Sequence, residues 1–116
     1  MSVAHHITTV SVTVHRCQFD IPVYTDGNDI FFEARALCNM TFRLHTYDPS
    51  KFPIINCDSE NISVVKFNDM SELDTTNTVS ADTWRWLHKQ AQTEFRLWKL
   101  ETEVSELRRR QSADTI

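Results

Sequence analysis

KQAQTEFRLWKLETEVSELRRR (residues 89–110) contains no glycine and no proline and is rich in strong helix formers, which predicts one uninterrupted helix. The pattern extends upstream to a clean start. Ser80 can accept from the exposed N–H groups of a first turn, Asp82 lies where the helix dipole is positive, and Val79 and Trp84 have the spacing of an N′ to N4 hydrophobic staple. A helix over residues 81–110 would be about 45 Å long, whereas a compact domain made of residues 1–79 is roughly 30 Å across. Part of the helix is therefore expected to project beyond its own domain.

At 100° per residue, Trp84, Leu87, Ala91, Phe95 and Trp98 share one stripe, and Trp86, Leu97, Leu100, Val104 and Leu107 lie nearly opposite. The chain's own domain can bury the first stripe; the second needs another partner. That second stripe keeps heptad spacing, with Leu97 and Val104 at a, Leu100 and Leu107 at d, and a continuation back through Thr93 and Gln90 to Trp86. In a parallel pair the g to e′ neighbours become Lys89 with Glu94, Arg96 with Glu101 and Glu103 with Arg108, all opposite in charge. Val at a and Leu at d favour two strands, so the reading is a parallel homodimeric coiled coil held by Trp86, Leu97, Leu100, Val104 and Leu107. The alternative is an ordinary amphipathic helix folded back on its own sheet.

The residues that the helix must cover read as a small antiparallel sheet. ITTVSVTVHR (residues 7–16) sets Thr8, Val10, Val12 and Val14 against Thr9, Ser11, Thr13 and His15, a period of two in β-branched residues. FDIPVYTDGNDIFF (residues 19–32) reads as a hairpin turning at Asp26-Gly27-Asn28, with Pro22 favouring an edge strand. EARALCNM (residues 33–40) reads as a short helix, YDPSKFP (residues 47–53) as a loop, and ISVVKF (residues 62–67) as a further strand after the turn-prone residues 58–61. DMSELDTTNT (residues 69–78) reads as a helical turn and linker. The expected organisation is an α+β domain at residues 1–79, a dimerisation helix at 80–112 and a disordered tail at 113–116.

Composition narrows the function classes. With 41% apolar and 24% charged residues among 116, the chain has the material for one small domain plus an appendage. Its apolar runs are too short to cross a bilayer and its start lacks the order of a signal peptide, so a cytoplasmic location is expected. Cys17, Cys38 and Cys57 form no Cys-x-x-Cys pair and are expected as buried free thiols, and without a secretion signal the Asn39 and Asn61 sequons are discounted. Residues 1–79 hold five Lys/Arg against ten Asp/Glu, while residues 80–116 hold seven against six. An acidic domain lacks the broad basic footprint that duplex DNA demands, and Arg108, Arg109 and Arg110 suit a solvated helix end.

No stretch carries a catalytic signature. Gly27 is the only glycine, which leaves little material for the tight turns of an oxyanion hole, and no phosphate loop or dinucleotide fingerprint is present. The five histidines lack metal-ligand spacing; His5 and His6 are expected to be solvated at a frayed end. No cofactor or metal is expected, and the chain reads as non-enzymatic.

The order of strand, DG hairpin, IFFEARALC (residues 30–38), loop and VVKFNDMSEL (residues 64–73) resembles the N-terminal domain of phage antirepressors of the BRO and Ant type. The resemblance spans residues 10–75, with Cys38-Asn39-Met40 where the family usually has Leu-Gly. It implies a phage or prophage regulator that binds a repressor protein or DNA. Together these readings describe a homodimer that binds a protein such as a transcriptional repressor or host defence factor, with Asp26, Asp29, Glu33 and Trp98 as contact residues and a basic DNA-binding protein as the fitting target. The alternatives are a structural or assembly protein and a sequence-specific DNA binder, whose reading element would be FEARALCNMTFRLHTY (residues 32–47) with Arg35, Arg43 and His45 near phosphates.

Overall fold

The β-branched alternation forms the longest strand, β1 (His5–Val14), in a computed structural model that describes residues 3–69 and 78–114, with the side chains of 111–114 excepted. Val10, Val12 and Val14 are buried while Thr9, Ser11 and Thr13 are exposed, as a period of two demands. The remaining elements are β2 (Cys17–Thr25), β3 (Ile30–Glu33), α1 (Ala34–Met40), β4 (Ile54–Cys57), β5 (Glu60–Lys66) and α2 (Ala81–Asp114). The strands form one five-stranded antiparallel sheet in the order β1-β2-β3-β5-β4. The fold is α+β, as the periodicities predict.

The turns differ from expectation in their chemistry. Gly27 (φ 100) sits in the β2–β3 turn, but the β1–β2 and β4–β5 hairpins turn on His15-Arg16 (φ 50 and 66) and Asp58-Ser59 (φ 50 and 67). Each is a two-residue turn with both φ positive, a conformation that matches strand twist but is strained for side-chain-bearing residues. Likewise α1 ends with Phe42 (φ 59) where glycine is usual, and the Arg43 N–H reaches back to the Cys38 carbonyl at 2.7 Å.

β4 was not anticipated, because a four-residue run after Pro53 carries little periodic signal. The edge position expected for Pro22 is corrected: β2 lies inside the sheet, between β1 and β3. The β2–β3 ladder ends at Val23, however, so beside Pro22 the strand has a neighbour on one side only, through Thr9. Residues 70–77, which include most of the expected linker, lie outside the described residues. α2 continues to Asp114, into the tail expected from residue 113, the rest of which lies outside the described residues.

Both helices cover one face of the sheet. Leu37 and Met40 of α1 and Trp84, Leu87 and Ala91 of α2 join Val10, Val12, Ile21, Val23 and Phe32 in the main core. Leu87 is fully buried, a position where truncation to alanine costs about 2–5 kcal/mol. The start of α2 matches its sequence signals: the Thr83 N–H donates to Ser80 Oγ at 3.2 Å, and Val79 and Trp84 are both buried. On the opposite face, Ala4, Tyr24, Phe31, Ile55, Cys57 and Val64 form a second, smaller cluster. The sheet curls around it, because the Ala4 N–H donates to the Asn56 carbonyl at 2.7 Å and so brings the start of β1 against β4.

α2 runs antiparallel to β1. Near its start Trp86 lies beside Ser11, Val12 and Thr13, and sixteen residues before its end Trp98 reaches His5. Its 34 residues span about 51 Å, and the whole molecule extends 60 Å along its long axis against 29 and 21 Å across. The helix thus overshoots its sheet, as its length predicts.

Candidate protein-interaction surfaces

The overshoot begins at Trp98. Trp84, Leu87 and Ala91 of the first stripe are buried, Phe95 and Trp98 are half-buried, and Trp98 stacks on Phe95 (6.4 Å) and lies tilted against His5 (5.6 Å). Trp98 therefore packs within its own chain, and only part of it is available to a partner. From Lys99 to Arg110 every residue is exposed. On the second stripe, Trp86, Leu97, Leu100, Val104 and Leu107 are between 44% and 58% exposed, an apolar row that nothing in its own chain covers among the described residues. Trp86 is set apart from the other four, since it lies next to β1.

The three acidic residues singled out in the sequence do not form one patch. Asp26 and Asp29 share the β2–β3 turn, while Glu33 lies at the far end of β3, about 13 Å along the strand from Asp29. Asp26 is tied into the turn by its side chain. Its Oδ1 accepts from the N–H groups of Asp29 (2.8 Å) and Asn28 (2.9 Å), and the Asp29 bond above all holds the carboxyl below the ordinary carboxylate range. Asp29 lines a cleft of about 470 Å³ together with Asp69, Lys66, Arg96 and Lys99, so its surroundings are mixed in sign.

Glu33 sits in a more acidic setting that the sequence pattern did not reveal. It projects on the side of the sheet away from the helices, the same side as Tyr24, Asp20 and Glu60. Burial, followed by Glu33, Cys57 and Glu60, pushes the Tyr24 hydroxyl up to about 12. Asp58 and Glu60 rim the opening beside Tyr24. The signal that could have found this group is the parity of β3 and β5: once both strands are in register, Glu33 and Glu60 fall on the same face.

Four of the five histidines lie against an aromatic ring. His5 lies tilted against Trp98, His6 lies tilted against Tyr24 (5.4 Å between ring centroids) and bonds Thr9 Oγ1 (3.0 Å), and His15 Nε2 lies 2.9 Å from the Thr78 carbonyl. His5 and His6 are exposed, as expected, but belong to β1 rather than to a frayed end, and His15 lies in the β1–β2 turn. His88 stacks on Phe67 at 3.5 Å, and burial lowers its pKa. Of the cysteines, Cys38 and Cys57 are buried as expected but Cys17, at the β1–β2 turn, is exposed. Among the described residues no group of three or more His, Cys, Asp or Glu is placed to hold a metal ion, and no helix is long and apolar enough to cross a membrane.

The segment considered for reading DNA is broken into parts. α1 has seven residues and buries Ala34, Leu37, Cys38 and Met40, after which the chain turns into a separate 3-10 turn at Leu44–Thr46. Only Arg35 and Asn39 of α1 are exposed, too little to present a helix to a groove. No family model, curated protein or solved structure matches the chain.

Proposed function

We propose that this protein acts without catalysis, as a parallel homodimer joined through the projecting part of α2, and that its acidic domain binds a basic protein. The observation that carries the reading is the exposed row Leu97, Leu100, Val104 and Leu107, which starts where the helix leaves its sheet and runs along the projecting part. Burying these side chains is worth up to about 1.5–3 kcal/mol each, enough to drive pairing. The pairs Lys89 with Glu94, Arg96 with Glu101 and Glu103 with Arg108 add a few tenths each, and so select orientation rather than create the dimer.

A parallel dimer places both domains at one end and offers two equal sites to a partner that is itself dimeric. Residues 1–79 carry five more Asp/Glu than Lys/Arg, and Glu33, Asp58 and Glu60 gather on one side, which favours a basic target through faster encounter. A transcriptional repressor or a host defence factor has that chemistry, and the antirepressor-like order of residues 10–75 supports a regulatory role in a phage or prophage. Duplex DNA is the rival partner, and α1 offers it little to read with.

The test pairs two measurements on the full chain. A partner captured from the host is purified and titrated with the unmodified protein and with the E33Q/D58N/E60Q variant, and mixed-sequence duplex is titrated in parallel at moderate salt. The reading requires slower association of the variant with the partner and no duplex binding. Tight duplex binding with a steep salt dependence would replace it with the DNA-binding alternative.

A further inference from the structure

β1 ends the strand order, and among the described residues no strand lies along its outer side over residues 8–14. Natural sheets protect such edges with charge, proline or shortness, yet residues 7–14 contain no charged residue and no proline, and β1 is ten residues long. Which backbone groups it offers follows from its hairpin. In a two-residue turn such as His15-Arg16, the closing pair, Val14 with Cys17, exchanges both hydrogen bonds. By alternation Val12 and Val10 also point their N–H and C=O at β2, which leaves those of Thr13, Ser11 and Thr9 directed outward.

Those outward residues lie in a palindrome, Thr9-Val10-Ser11-Val12-Thr13. We infer that the free edge of β1 pairs with the β1 edge of a second copy, antiparallel about a two-fold axis at Ser11, to make one continuous sheet. Ser11 then faces Ser11, Thr9 faces Thr13 and Val10 faces Val12, and the three outward residues of each copy supply up to about six hydrogen bonds. Thr–Thr and β-branched pairs are favourable across strands, and no like charges meet. Asp20, which accepts from Ser11 Oγ at 2.7 Å on β2, stays about 14 Å from its counterpart because two strands separate them.

Trp86 supports a second copy over any other occupant. It is 44% exposed and forms one wall of a groove of about 420 Å³ with Ser11, Val12, Thr13, Asp82 and Thr83, right beside the axis. The joining strand fills that groove, and each Trp86 covers the partner's β1. This pairing sends the two α2 helices in opposite directions, so one pair of copies cannot also form the parallel helix contact. The edge interface does not rest on the helix reading. If both operate, each copy has two different partners, and the product is a tetramer or an open chain.

Sedimentation of the full chain and its variants at tens of micromolar, with circular dichroism as the check on folding, decides the matter. In the L100D/V104D background, which disables the helix contact, the edge pairing requires a dimer. Adding T9K/T13K, which sets like charges opposite each other in the stated register, should halve the mass to a monomer. Adding T9E/T13K instead, which sets opposite charges there, should restore the dimer. A monomeric L100D/V104D variant, a dimer indifferent to T9K/T13K, or no recovery with T9E/T13K would each overturn the inference. Failure of the helix reading looks different: the unmodified protein is then already a dimer, unchanged by L100D/V104D and still split by T9K/T13K.

Discussion

Trp98 of α2 packs tilted against His5 of β1 with 5.6 Å between ring centroids, and this contact marks where the helix leaves its sheet. Upstream, Leu87 and Ala91 are fully buried; downstream, every residue from Lys99 to Arg110 is exposed. The same helix therefore serves as a core element in its first half and as a free arm in its second.

The free arm predicts a loss of assembly on replacing Leu100 and Val104 together by Asp. Charges in a dimer seam cost several kcal/mol, roughly 2 or more for each unpaired group. Light scattering should show at least a halved mass, while the near-ultraviolet signal of the buried Trp84 stays as it is. An unaltered mass would mean that the row is not an interface.

Orientation is open to a cross-linking test. In a chain with Cys17, Cys38 and Cys57 replaced by Ala, Gln111→Cys at the next a position should give an intermolecular disulfide under mild oxidation, because parallel copies meet there. If it stays reduced while Glu94→Cys with Arg110→Cys cross-links, the helices run antiparallel and the two domains lie at opposite ends.

At Asp26 the roles of charge and of turn can be separated. Asp26→Asn keeps an oxygen for the Asn28 and Asp29 N–H groups, whereas Asp26→Ala removes it and should cost about 1 kcal/mol in urea unfolding. Equal stability of the two variants would show that the turn holds without its side chain.

His88 makes the domain sensitive to mild acid. Burial places its folded pKa below the ordinary 6.5, so the neutral ring favours the fold: its contribution is complete above about pH 6.5 and is lost as pH falls through the folded value. Asp26 behaves alike in a lower window, since its depressed carboxyl contributes above its ordinary 3.8 and is lost below that. Replacing His88 by Phe should keep the stack on Phe67 and flatten the thermal stability between pH 7 and 5, whereas an imidazole titrating at or above 6.5 by NMR would contradict the assignment.

Ser59→Gly should stabilise the fold by about 1 kcal/mol, because Ser59 holds φ 67 in a two-residue turn for which Asp-Gly is the favoured pair. Thermal unfolding would then rise by several degrees; a fall would show that the serine side chain contributes something beyond the turn.

Periodicity alone determined the valine face of β1, the short α1, the N-cap at Ser80 and the two stripes of α2, because each depends on residues within a few positions of one another. Even the projection of the helix was legible, as a length that no domain of this size can match. What required tertiary structure was everything set by which strands become neighbours. Placing β2 inside the sheet moved Pro22 from a true edge to the end of a ladder, and pairing β3 with β5 gathered Glu33 and Glu60 on one side of Tyr24. The tight turns at His15-Arg16 and Asp58-Ser59 were hidden for a related reason. Their unfavourable φ is tolerated only because the hydrogen-bonded strands on either side hold it in place, and a local sequence carries no record of that support.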